Sequence, residues 1–139
     1  MLDGLYDYAM AHVGLPYIWG GDDSIRGYDC SGFVQELLAS QGITFRADHT
    51  ALDLLAYFKH HGKAVHGGLG ALVFYGVPRC SHVALMINDK LVIEAAGGGS
   101  KTRSQADAIR DNAFIRVRPY NHRADHTSII MPFYSGSSL

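Results

Sequence analysis

At 139 residues the chain has room for one domain with a real core, and its 47% apolar and 18% charged content is that of a folded rather than a disordered protein. A formal net charge of -1 gives no basic field to draw nucleic acid, and no apolar run approaches the roughly 18 residues of a membrane span. Met1-Leu2-Asp3-Gly4 lacks the basic start and apolar block of a signal peptide, so synthesis in the cytoplasm without an export signal is expected.

Residues 3–13 read as a helix with Leu2, Leu5, Tyr6, Ala9, Met10 and Val13 on one side, stopped by Gly14 and Pro16. An aromatic, glycine-bearing loop follows, Pro16-Tyr17-Ile18-Trp19-Gly20-Gly21. Gly27-Tyr28-Asp29-Cys30-Ser31-Gly32 then reads as a loop turning into a helix, with Asp29 as its cap and Phe33, Val34, Leu37 and Leu38 as its apolar stripe up to Gly42. A third helix begins at Asp48 or Thr50, carries Leu52, Leu55 and Phe58, and ends near Gly62. The apolar period then changes from 3.6 to 2. Leu72–Tyr75, His82–Ile87, Leu91–Ala95 and Phe114–Arg118 read as strands. Gly97–Ser100 reads as a flexible loop. In 120–139 only Ser128–Met131 has strand character, placed at an edge, and the Ser/Gly end is expected to fray. Helices first and antiparallel strands second indicate an α+β fold in a single domain. Arg-Ala-Asp-His-Thr occurs at both 46–50 and 123–127, in contexts too different to make a structural repeat.

Chemistry enters at Cys30. A cysteine on the first turn of a helix meets the partial positive charge of the amino end, which favours the nucleophilic thiolate. A lone cysteine there is most often a small buried apolar residue; its context argues for more. Along 82–95 the odd positions Val83, Leu85, Ile87, Leu91, Ile93 and Ala95 are all apolar, which puts them on the core face and His82 with Glu94 on the other. The three-residue turn Asn88-Asp89-Lys90 keeps the two strands in phase, so His82 and Glu94 lie diagonally adjacent. An imidazole to take the thiol proton, with a polar group behind it, is what nucleophilic catalysis by cysteine needs. A Cys30–Cys80 bridge would disable the nucleophile, so two free thiols are expected. His60-His61, and His122 with His126, lack partners at metal-ligand spacing, and no metal or cofactor is called for.

These segments, taken in order over roughly 12–96, resemble the NlpC family of papain-like cysteine peptidases, which cut bacterial cell-wall peptides. Gly14–Gly21 is similar to the family's first signature. Tyr28-Asp29-Cys30-Ser31-Gly32-Phe33-Val34 matches the nucleophile motif, the most specific element. Gly42-Ile43 with Arg46 fits the next segment, Gly70–Tyr75 the strand before the histidine, and Ser81–Ile87 the histidine strand. Ala71 stands where the family usually has an acidic residue, which removes a turn-stabilising contact. Glu94 stands where it usually has histidine, asparagine or glutamine. The resemblance implies a papain-like fold, a Cys30-His82-Glu94 triad, and Tyr17, Asp29 and Ser31 at the substrate. It further implies cleavage of the γ-D-glutamyl–diamino acid bond of peptidoglycan stems. An acidic third residue is also usual in related CHAP-type enzymes, so N-acetylmuramoyl-L-alanine amidase activity is an alternative. Acyl transfer to another acceptor and a catalytically silent phage-tail component are others. With no export signal, the carrier to the wall would be a phage tail or lysis system, a secretion machine, or a longer exported protein from which this domain is excised.

Overall fold

The computed structural model describes residues 2–23 and 27–134; the Ser/Gly end expected to fray lies outside them. Helix α1 (Leu5–Met10) leads to a two-stranded ribbon, β1 (Asp22–Asp23) and β2 (Gly27–Tyr28), then to α2 (Cys30–Ser40) and α3 (Ala51–Phe58). Strands β3 (Gly62–Ala64), β4 (Leu72–Tyr75), β5 (His82–Met86) and β6 (Leu91–Ala96) follow. Helix α4 (Gln105–Asp111) precedes β7 (Phe114–Pro119) and β8 (His126–Pro132). Strands β3 to β8 make one antiparallel sheet in the order β3-β8-β4-β5-β6-β7, and the fold is α+β.

Helix α2 is the hub. Its cap residue Asp29 is extended, and its carboxylate accepts from the Gly32 amide at 2.7 Å. The expected stripe is fully buried: Phe33, Val34, Leu37 and Leu38 have no exposed surface. It packs on β5 and β6, against the odd-numbered Val83, Leu85, Ile93 and Ala95. Each large apolar side chain buried this way contributes about 1.5–3 kcal/mol. Helix α2, which begins at Cys30, is thereby fixed against the strands that carry His82 and Glu94.

Other expectations need correction. Tyr6 and Val13 are exposed, while Leu5 and Ala9 are wholly buried; α1 ends at Met10, so Val13 no longer follows a helical period. Helix α3 starts at Thr50, through a capping box in which Thr50 and Asp53 satisfy each other's amides. Counted from that cap, Ala51, Leu54, Leu55 and Phe58 are the buried positions, and Leu52 turns to the cleft beside Cys30.

The sheet also has no solvent face at its centre. Its second face buries Ala71, Val73, Tyr75, Ala84, Met86 and Val92, with Ile129 and Met131 of β8 beside them and Val65 and Tyr120 packed against the cluster. Ala71 belongs to this apolar cluster, a place where a carboxylate would carry a desolvation cost. Strand β8 is interior rather than an edge, because β3 pairs with its outer side, Gly62 to Pro132 and Ala64 to Ile130. The two Arg-Ala-Asp-His-Thr strings serve different ends: Thr50 caps α3, and Thr127 sits in β8 and donates to the Phe74 carbonyl.

Candidate active site

Cys30 is half-buried at the start of α2, on the wall of a cleft of about 420 Å³ that it shares with Tyr17, Trp19, Asp29, Ser31 and Cys80. Two close approaches build this wall. The first turn of α2 lies against the Gly21 carbonyl, which also accepts from the Asp29 amide at 3.0 Å. A Cβ on Gly32 would run into that oxygen. The Tyr17 ring lies so close to Gly98 that a side chain there would enter the ring. Tyr17 is itself pinned through its backbone, which donates to Ala113 and bridges Tyr28. Burial pushes the Tyr17 hydroxyl pKa up, and the charges of Cys30 and Asp29 push it further. Asp29 is raised chiefly by burial, against the Gly32 amide bond, with Asp48 adding repulsion. Ser31 is buried, and its hydroxyl donates to Asp29 at 3.4 Å.

His82 opens β5 and Glu94 lies in β6. His82 Nε2 is 2.7 Å from Glu94 Oε1, and His82 borders the same pocket as Cys30. Thiol and imidazole thus meet at one pocket, with the carboxylate bonded to the ring. The diagonal adjacency inferred from strand parity is observed, but neither side chain faces solvent: Glu94 is 0% exposed and His82 7%. Burial favours neutral imidazole, yet the bonds and charges of Cys30 and Glu94 outweigh it and raise the His82 pKa to about 9. Burial likewise opposes the Glu94 charge, while His82, His122 and Arg118 lower its pKa to about 2. Both directions favour a buried ion pair at neutral pH.

The second oxygen of Glu94 holds partners that went unassigned in the sequence. Arg118, on β7, donates to Oε2 from Nε at 2.8 Å and lies 2.7 Å away through a second nitrogen. His122 Nε2 is 3.0 Å from the same oxygen, outside hydrogen-bond alignment. A usable signal existed. Glu94 lies opposite Arg116 and Val92 opposite Arg118, so parity carried one strand further puts Arg118 on the glutamate's face. Of the six residues expected at the site, Tyr17, Asp29, Cys30 and Ser31 line one cleft, Tyr17, Cys30 and His82 line a second pocket, and Glu94 is buried against His82. Cys30 and Cys80 are both free thiols. Among the described residues, no group of three or more histidines, cysteines or carboxylates is arranged to hold a metal ion.

A cysteine at a helix start, facing a histidine and a carboxylate on an antiparallel sheet, defines a papain-like architecture. The profile of the NlpC/P60 family matches residues 14–119, and the chain belongs to that family. It is 34% identical over 100 residues to a γ-D-glutamyl-L-lysine dipeptidyl-peptidase of Bacillus cereus, a match covering 67% of this chain and 28% of that protein. It is 32% identical over 110 residues to a probable endopeptidase of Haemophilus influenzae, covering 76% and 66%. The chain thus spans less than two thirds of either relative. The fold is shared with an NlpC/P60 protein from Bacillus cereus at a TM-score of 0.72 and 24% identity, over 97% of this chain and 41% of that one. It is also shared with the peptidoglycan hydrolase RipB of Mycobacterium tuberculosis at 0.65 and 22%, over 96% and 65%.

Proposed function

We propose that this chain is a cysteine peptidase that hydrolyses amide bonds in the stem peptides of bacterial peptidoglycan, at the γ-D-glutamyl–diamino acid linkage. The observation that carries the reading is the His82–Glu94 hydrogen bond at the pocket that Cys30 and His82 share, on an NlpC/P60 fold. The name of the Bacillus cereus relative supports the bond.

Cys30 Sγ attacks the carbonyl as thiolate while His82 holds the proton. The tetrahedral oxyanion is met by the Cys30 backbone N–H, which has no intrahelical acceptor in the first turn, and by the Tyr17 hydroxyl. Collapse transfers the His82 proton to the leaving amine and leaves a thioester. Water, deprotonated by His82, adds to the thioester, and Cys30 departs. Asp29, on the cleft wall, supplies the carboxylate that grips a free stem amine. The acidic third residue favours a second reading, amidase cleavage between glycan and peptide. A phage or a secretion machine is the proposed carrier.

Mass spectrometry of fragments released from purified peptidoglycan tests this. Stems cut after γ-D-glutamate support the endopeptidase. Whole stems freed from sugar establish the amidase. Intact polymer after incubation with the alkylatable enzyme overturns both.

A further inference from the structure

We propose that Arg118 is a positioning residue that holds Glu94 ionised and fixed in orientation, so that Glu94 can hold His82. The inference rests on Cys30 and His82 acting as the proposed function has them act.

Glu94 is wholly buried, and an ionised carboxylate in such a place costs several kcal/mol unless cations and donors surround it. His82 compensates it only while protonated. In the reaction above His82 gives that proton to the leaving amine, and at that moment Glu94 would face a neutral ring. The guanidinium of Arg118 keeps its charge throughout. It approaches Oε2 through two nitrogens, Nε at 2.8 Å and a second at 2.7 Å. With Oε2 occupied, the carboxylate is held against rotation, and Oε1 stays 2.7 Å from His82 Nε2. His122, 3.0 Å from Oε2, closes the third side. Arg116, directly across the ladder from Glu94, does not share this task, because it donates to the Asn112 and Phe114 carbonyls. Arg118 reaches Glu94 diagonally and also borders the cleft that holds Cys30 and His82.

The test is iodoacetamide alkylation of Cys30 near neutral pH, which needs no substrate and so stands whether or not peptidoglycan is cut. Arg118→Met should lower the alkylation rate by about tenfold or more, the loss of a charged hydrogen bond. On a cleaved substrate it should lower kcat similarly with KM within about twofold. Arg118→Lys should recover much of both. In a Glu94→Gln background Arg118→Met should add little, since both changes break one link. If Arg118→Met does not fold, Arg118→Gln takes its place in the cycle. A folded variant with the wild-type alkylation rate, or losses that simply multiply in the double mutant, overturns the proposal.

Discussion

Cys30 and Cys80 border the same cleft, so reactivity must be decided by surroundings rather than access. Burial pushes the Cys80 thiol up, against backbone hydrogen bonds, and the charge of Cys30 adds to it. Cys30 has the imidazole. Iodoacetamide should therefore label Cys30 first, and His82→Ala should slow that labelling while sparing Cys80; preferential labelling of Cys80 would remove Cys30 from the nucleophile's role. At Glu94 two kinds of loss separate. Glu94→Gln cannot accept from both His82 and Arg118 without presenting its amide group to one of them. Its kcat/KM should fall by about 1.5–3 kcal/mol in transition-state terms. Glu94→Ala leaves His82, Arg118 and His122 facing a void and should also cost about 3–5 kcal/mol of stability. Kinetics beside chemical denaturation distinguish the two, and equal activity in all three proteins would make Glu94 a purely structural residue.

At the scale of elements, Gly32 is the tightest constraint on α2. Alanine normally favours a helix over glycine by about 0.5–1 kcal/mol. Here the new methyl group would meet the Gly21 carbonyl. Gly32→Ala should instead destabilise by about 1–3 kcal/mol, as overpacking does, and a higher midpoint in a denaturation curve would contradict this. The same scale shows what the sequence could reveal. The cap and stripe of α2 and the alternation of β5 and β6 are local patterns, and they located Cys30, His82 and Glu94. Helix α4 was illegible because only Ala108 of its seven residues is fully buried and Ile109 is 69% exposed, so it has no apolar stripe. Strand β3 has three residues and no alternation of burial; its existence depends on β8, nearly 70 positions away in the chain. The burial of the second sheet face carries no local signature, because Val65 and Tyr120, which pack on it, come from segments with no periodicity of their own.

Across the whole molecule, the buried His82–Glu94 pair links stability to pH in two opposite ways. Glu94 has a depressed pKa, so its contribution is complete above the ordinary carboxylate value of 4.5 and is lost as pH falls toward about 2. His82 has a raised pKa, so its contribution is complete below 6.5 and is lost as pH rises through about 9. The site should stabilise the fold most between about pH 4.5 and 6.5. The alkaline limb of kcat/KM should lie near pH 9, where the imidazolium is lost. Denaturation midpoints measured against pH for the wild type and His82→Gln test the linkage: parallel curves from pH 6.5 to 9 would mean that His82 carries none of it.

The interior place of β8 bears on how the molecule is made. Strand β4, in the middle of the sheet and buried along its whole length, has β5 on one side and β8 on the other. The β5 partner emerges from a ribosome soon after it. The β8 partner comes some fifty residues later and brings β3 into the sheet with it. Until then Leu72–Tyr75 presents an apolar strand with one open edge, the kind of surface on which nascent chains associate wrongly. Strands β5 and β6 can pair early, but the sheet closes only when β8 arrives, and such a non-local pairing is intrinsically slow.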